Sequence, residues 1–243
     1  MTPAADWLLP DWPAPARVKA CVTTRAGGVS LPPFDTFNLG DHVEDDLQAV
    51  THNRQRLSAR IECAPAWLRQ VHGVVVADAD PAIVAEADAS WTAKTGVACA
   101  VLTADCLPVL FCDRAGTRVA AAHAGWRGLA GGVLEATLAA LAVPASEVLV
   151  WLGPAIGPQA FEVGGEVREV FLGADPQAAS AFVPSANAGR FMADLYALAR
   201  LRLAACGVTA VYGGGFCTVT DPRFYSYRRA ARTGRFASLV WLD

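Results

Sequence analysis

Three short apolar runs, Val97 to Leu102, Val109 to Cys112 and Arg118 to Ala122, follow one another closely and read as strands too short and too apolar to lie anywhere but in a core. The first two are separated by Thr103-Ala104-Asp105-Cys106-Leu107-Pro108. Pro108 cannot donate to a ladder, so the chain is predicted to bend there and to leave Cys106 at a strand end. The third run leads through Ala122-His123-Ala124-Gly125 into a helix predicted from Trp126 to about Leu141, with Leu129, Val133, Leu134, Leu138 and Leu141 inward and Gly128, Gly131 and Gly132 weakening its first turns.

The flanking segments continue the mixture. Residues 17 to 24 alternate as a strand, Arg25 to Leu39 is a long loop, and Asp45 to Ile61 is a helix with Leu47, Val50, Leu57 and Ile61 on one stripe. Trp67 to Ala77 reads as a strand broken at His72-Gly73. Further on come a strand over Val148 to Leu152, a helix near Val163 to Phe171, a surface patch of small residues from Ala174 to Ala188, and a helix from Phe191 to Cys206 capped by Gly207. Strands over Val208 to Tyr212 and Phe236 to Trp241 close the chain. With no repeat and no linker, residues 1–243 are expected to form a single layered α/β domain with a mixed sheet.

Composition narrows the partners. The chain is 53% hydrophobic and 18% charged with net charge −3, which suits a large core and provides no basic footprint for nucleic acid or anionic lipid. No apolar run is long enough to span a bilayer, and the start, Met1 to Trp7, lacks the form of a signal peptide. Seven cysteines without an export signal point to reduced thiols in the cytoplasm. Small molecules are the expected partners.

His72, Cys106 and His123 are three candidate ligands for a mononuclear metal, the number that leaves zinc one open position for chemistry. The alternative is a buried thiol and two histidines satisfied by backbone groups. A helix start directly after His123 favours anions and thiolates, and Arg127 in its first turn adds a positive charge. Asp105 is a candidate partner for a ligand imidazole or a general base, or else it caps its own loop. Cys217 is the one other candidate thiol. Only four histidines are present, His42, His52, His72 and His123, too few to ligate a blue copper and a trinuclear cluster together.

The blocks Thr23-Thr24-Arg25-Ala26-Gly27-Gly28, Phe37-Asn38-Leu39-Gly40, Gln70-Val71-His72-Gly73, Thr103 to Val109, Ala122 to Gly128, Leu152 to Pro158 and Phe224 to Arg229 together resemble the laccase-domain family, also called multicopper polyphenol oxidase or YfiH-like. Tyr227 departs from a position where members often carry His. The resemblance implies a layered fold akin to the cysteine-hydrolase-like toxin deamidases, and zinc held by His72, Cys106 and His123, with copper possible in vitro. It implies a purine nucleoside phosphorylase of adenosine, inosine and methylthioadenosine that also deaminates adenosine, and in some bacteria a peptidoglycan-editing role. Cys106, His123, His72 and Asp105 are the expected catalytic residues. Arg25, Asn38, Gln70, Arg127 and Arg228 are the candidates for binding nucleoside and phosphate, in a monomer or homodimer. A cysteine hydrolase acting on an amide of a cell-wall precursor uses the same Cys106 and His123, and a copper-dependent polyphenol oxidase is the third reading.

Overall fold

Two mixed sheets lie face to face with helices on both outer surfaces in a computed structural model that describes residues 7–243. The start read as lacking an export signal lies, up to Asp6, outside the described residues. In chain order the principal strands are β1 (Val18–Val22), β2 (Ala64–Ala66), β3 (Val76–Asp78), β4 (Ala89–Thr92), β5 (Val97–Thr103), β6 (Leu107–Asp113), β7 (Val119–Ala124), β8 (Val148–Leu152), β9 (Ala210–Gly213) and β10 (Phe236–Leu242). The α-helices are α1 (Leu47–Ile61), α2 (Trp126–Gly131), α3 (Val133–Leu141), α4 (Gly165–Ala174) and α5 (Leu195–Ala205). One sheet has the order β1-β10-β5-β2 and the other β9-β8-β6-β7-β4-β3, each with antiparallel and parallel pairs.

The apolar runs are explained by coverage on both faces, which removes the usual alternation of apolar and polar side chains. In β6, Leu107, Val109 and Phe111 join the core beneath the helices, while Leu110 and Cys112 face the other sheet. In β5, Cys99 and Val101 enter the layer between the sheets, and Ala98, Ala100 and Leu102 face α1. Pro108 stands inside β6 rather than at its end, opposite His123. Its carbonyl accepts from Gly153 N–H at 2.9 Å, so its nitrogen faces the side where the β8 ladder has already ended at Leu152 and no bond is lost.

Four segments differ from the sequence reading. The helix expected from Trp126 to Leu141 is two helices, because Gly132 takes φ 102, where an L side chain is strained. The helix expected from Phe191 begins at Leu195: Arg190–Ala193 pairs as a strand, and Asp194 caps α5 by accepting from Tyr196 and Ala197 N–H. The patch from Ala174 to Ala188 is mostly at the surface as expected, but it is anchored by Ala178, Ala181 and Phe182, which are buried against the helical core. Leu47, expected inward, is exposed, and Asn53 takes the buried place on α1. Asn53 donates to the Thr36 and Asn38 carbonyls and accepts from Val29 N–H, fastening the long loop to the helix.

Candidate active site

His123 sits near the end of β7, Cys106 one residue before β6, and His72 in the break between the short Leu68–Arg69 strand and β3. Adjacency of β6 and β7 brings thiol and imidazole together, and the loop carrying His72 folds over them with His72 at φ 62. One donor atom from each of the three lies within 4.8 Å of the others. Cys106 Sγ is 3.8 Å from His72 Nε2, and the two imidazoles meet edge to face at 4.8 Å between centroids.

Asp88, absent from the sequence reading, organises this cluster. Its fully buried carboxylate accepts from the backbone N–H groups of Val71, His72 and Gly73 at 3.2, 2.9 and 2.6 Å, and from His123 Nδ1 at 2.8 Å. A carboxylate can only accept, so Nδ1 carries the proton and His123 presents Nε2 to the cluster, the arrangement expected of a metal-bound imidazole with an outer carboxylate. Burial alone would raise the Asp88 carboxyl, but His123 and the Gly73 N–H outweigh it and hold the group below its ordinary range.

Burial likewise opposes charge on Cys106, yet the neighbouring His123 and His72 bring its thiol down to about 6. Burial would lower His123, and the Cys106 thiolate and Asp88 instead raise it to about 9. The three donors therefore form one thiolate-bearing set of the N and S type that zinc prefers.

Glycine spacing after His123 has a steric cause. A Cβ on Gly125 would stand 2.9 Å from His72 Cδ2 and 3.0 Å from Cys106 Sγ, and one on Gly128 would meet the Gly73 carbonyl at 2.9 Å. Gly125→Ala is expected to force the imidazole and thiol apart, weakening metal retention about tenfold or more while leaving the far-ultraviolet circular dichroism unchanged. Metal content per chain after dialysis checks this, and full retention would contradict it.

The trio opens into a cavity of about 470 Å³, within the range of roughly 300 to 1,000 Å³ typical of small-molecule sites. Its lining includes Gln70, Thr103 and His42, then Trp126, Arg127, Phe161 and Leu195, and finally Tyr227, Arg228 and Arg235 from the segment that joins β9 to β10. Gln70 is committed to backbone: its amide donates to the Leu102 carbonyl at 2.9 Å and accepts from Leu102 N–H at 2.8 Å, setting the loop that carries His72.

Asp105 reaches neither imidazole. Its carboxylate accepts from Thr218 Oγ1 and from Arg228 N–H, both at 2.6 Å, and its carbonyl accepts from Ile156 N–H, so it locks three loops around the cavity. Arg25 does not line the cavity; its guanidinium pairs with Asp35 at 2.8 Å and lies over the Tyr225 ring. Asn38 is fully buried and spends its amide on Gly40, Asp45 and Arg235 backbone or side-chain atoms. Cys217 stands outside the lining, packed where a Cβ on Gly157 would come within 2.9 Å.

The model of the family described as multi-copper polyphenol oxidoreductase laccase matches residues 19–243. The chain belongs to that family. Among family relatives, a protein named purine nucleoside phosphorylase from Pseudomonas aeruginosa is 73% identical over 238 residues, covering 98% of each chain. A protein named purine nucleoside phosphorylase YfiH from Escherichia coli is 53% identical, over 97% of this chain and 98% of its own. A crystal structure of a Neisseria meningitidis protein superposes with a TM-score of 0.95 at 55% identity, covering 98% of this chain and 99% of that one. YlmD from Geobacillus stearothermophilus gives 0.92 at 30% identity, covering 100% and 98%. The laccase label does not extend to a multicopper cluster here: His42 lines the cavity apart from the trio, His52 lies exposed on α1, and no other histidines exist. No helix among the described residues is long and apolar enough to cross a membrane.

Proposed function

We propose that the chain is a zinc-dependent purine nucleoside phosphorylase that cleaves adenosine, inosine and methylthioadenosine, with deamination of adenosine as a second activity. The observation that carries this reading is the cavity itself: a thiolate and two imidazoles at its floor, an aromatic and aliphatic wall on one side, and arginines around it. The names of the Pseudomonas and Escherichia relatives support it.

Phosphorolysis breaks the bond from the anomeric carbon to the purine nitrogen, forms a carbon–oxygen bond to phosphate, and leaves the base to take a proton. Phe161 and Trp126 offer the flat apolar surface a purine requires. Arg127 and Arg228 bring positive charge to the same wall, where it favours negative charge developing on a leaving base. Asp105 serves by fixing Arg228 and Thr218 rather than by moving a proton. His72, Cys106 and His123 are the residues that would hold zinc, which when bound supplies a Lewis acid at the cavity floor. Deamination adds water at the purine carbon bearing the amino group, forms a carbon–oxygen bond there, breaks the carbon–nitrogen bond and releases ammonia.

Zinc is preferred to copper because a blue-copper centre adds an axial sulfur, and Met192 lies on the Arg190–Ala193 strand outside the cavity. The same donors accept copper in vitro. The seven free cysteines support a cytoplasmic location, and the partners are nucleoside and phosphate, with the protein acting as monomer or homodimer. The test is chromatography of a nucleoside panel with and without phosphate. Free adenine and hypoxanthine are expected only with phosphate, and inosine from adenosine without it; absence of phosphate-dependent base release rejects the reading.

One observation favours a second reading. The lowered thiol of Cys106 beside the raised imidazole of His123 is also the pairing of a cysteine hydrolase, which fits an amidase of peptidoglycan precursors on the toxin-deamidase type of fold. A trapped acyl-enzyme on Cys106 would select it, whereas protection of Cys106 from alkylation by zinc selects the metal enzyme.

A further inference from the structure

On the cavity wall one buried group is left without a hydrogen-bond partner, and one guanidinium keeps donors free. Thr103 is 1% exposed and its hydroxyl has no hydrogen-bond partner, although it lines the cavity. A buried hydroxyl in that condition is destabilising unless something binds it. Arg235 is half-buried, lines the same wall, and has no carboxylate within ion-pair distance among the described residues. Both line the same cavity, Thr103 from the last position of β5 and Arg235 from the residue just before β10, where these two strands end side by side.

Arg235 is also held in place before any ligand arrives. Its Nη1 donates to the Thr233 and Gly234 carbonyls at 3.0 Å each, its side chain lies where a Cβ on Gly40 would come within 2.8 Å, and its N–H is fixed by Asn38. Nε and Nη2 keep their protons for a ligand. The other arginines of the cavity are committed or exposed. Arg228 donates both terminal nitrogens to the Ala160 and Glu162 carbonyls, and Arg127 stacks on Trp126 at the solvent side. A preset guanidinium with two free donors beside an unpartnered hydroxyl suits a tetrahedral oxyanion with several acceptor oxygens.

We infer that Arg235 and Thr103, with His42 beside them, form an oxyanion subsite whose occupant is inorganic phosphate. Its role as the attacking co-substrate rests on the phosphorolysis reading; binding of the ion does not. Phe161 and Trp126 line the same cavity, so a nucleoside held there shares it with the ion.

The test is thermal unfolding of the purified protein titrated with inorganic phosphate against chloride at matched ionic strength. Wild type is expected to show a saturable rise in Tm. Thr103→Val keeps shape and removes only the unpartnered hydroxyl, so its Tm without phosphate is expected to equal or exceed that of wild type, while half-saturation moves to about tenfold higher phosphate. Arg235→Lys, which keeps charge but loses the fork, is expected to shift it further. In turnover, both variants raise KM for phosphate and leave KM for the nucleoside unchanged. Absence of a saturable rise in wild type, or an unchanged midpoint in Thr103→Val, overturns the subsite. A phosphate response that depends on Thr103 without any phosphate-dependent base release keeps the subsite and removes phosphorolysis.

Discussion

Replacing Cys106 by alanine is expected to lower phosphate-dependent release of purine about a thousandfold and to abolish retention of zinc. The thiol is the only sulfur donor of the trio, and as thiolate it would supply negative charge to offset a divalent ion in a buried place. Loss of Lewis-acid stabilisation worth about 4 kcal/mol corresponds to that factor. The fold is expected to survive, because Cys106 precedes β6 and joins no apolar core cluster. Product chromatography together with zinc content per chain gives the result; a variant that releases purine at the wild-type rate would sink the assignment of the site.

Loss of Asp88 is expected to damage both the fold and the site. Asp88→Ala strands three backbone N–H groups and the His123 ring proton, so a cost of about 3 to 5 kcal/mol is expected, seen as a fall of roughly 10 °C in Tm. Asp88→Asn keeps an acceptor but turns a donor toward groups that themselves donate, and is expected to weaken zinc binding about 10- to 100-fold even where the chain remains folded. The pH dependence has a definite sign. A carboxyl held below its ordinary range stabilises the fold above the unfolded value and loses that contribution as pH falls through the folded one. The gap in Tm between wild type and Asp88→Ala is thus expected to narrow on acidification below about pH 4, and a gap that widens there would contradict the role given to Asp88.

His72, Cys106 and His123 were legible because small residues and glycines surround them: Gly73, Ala122, Ala124 and Gly125 leave space that an ordinary core segment would fill. Asp88 was not, since Ala87-Asp88-Ala89 shows a lone acid beside a strand and its four donors come from two distant segments. Among 18 arginines, sequence could not separate Arg25, which is tied to Asp35, from Arg235, which faces the cavity. Only the folded arrangement of the loops makes that distinction. The layered α/β character followed from the apolar runs, but the division into two sheets did not, because a strand covered by a sheet and one covered by a helix look alike in sequence. The break at Gly132 and the burial of Ala178 and Ala181 were missed for a related reason: small residues serve cores and surfaces equally.

The cavity lies across the seam between the two sheets. Thr103 and Arg235 are anchored to one sheet, Cys106 and His123 to the other, so the spacing between these two pairs is set by how the layers seat on each other. Side chains such as Val101 and Trp151 that fill the space between the layers thereby act as shims, and on the proposed activity their volume is expected to bear on turnover although they lie outside the cavity lining.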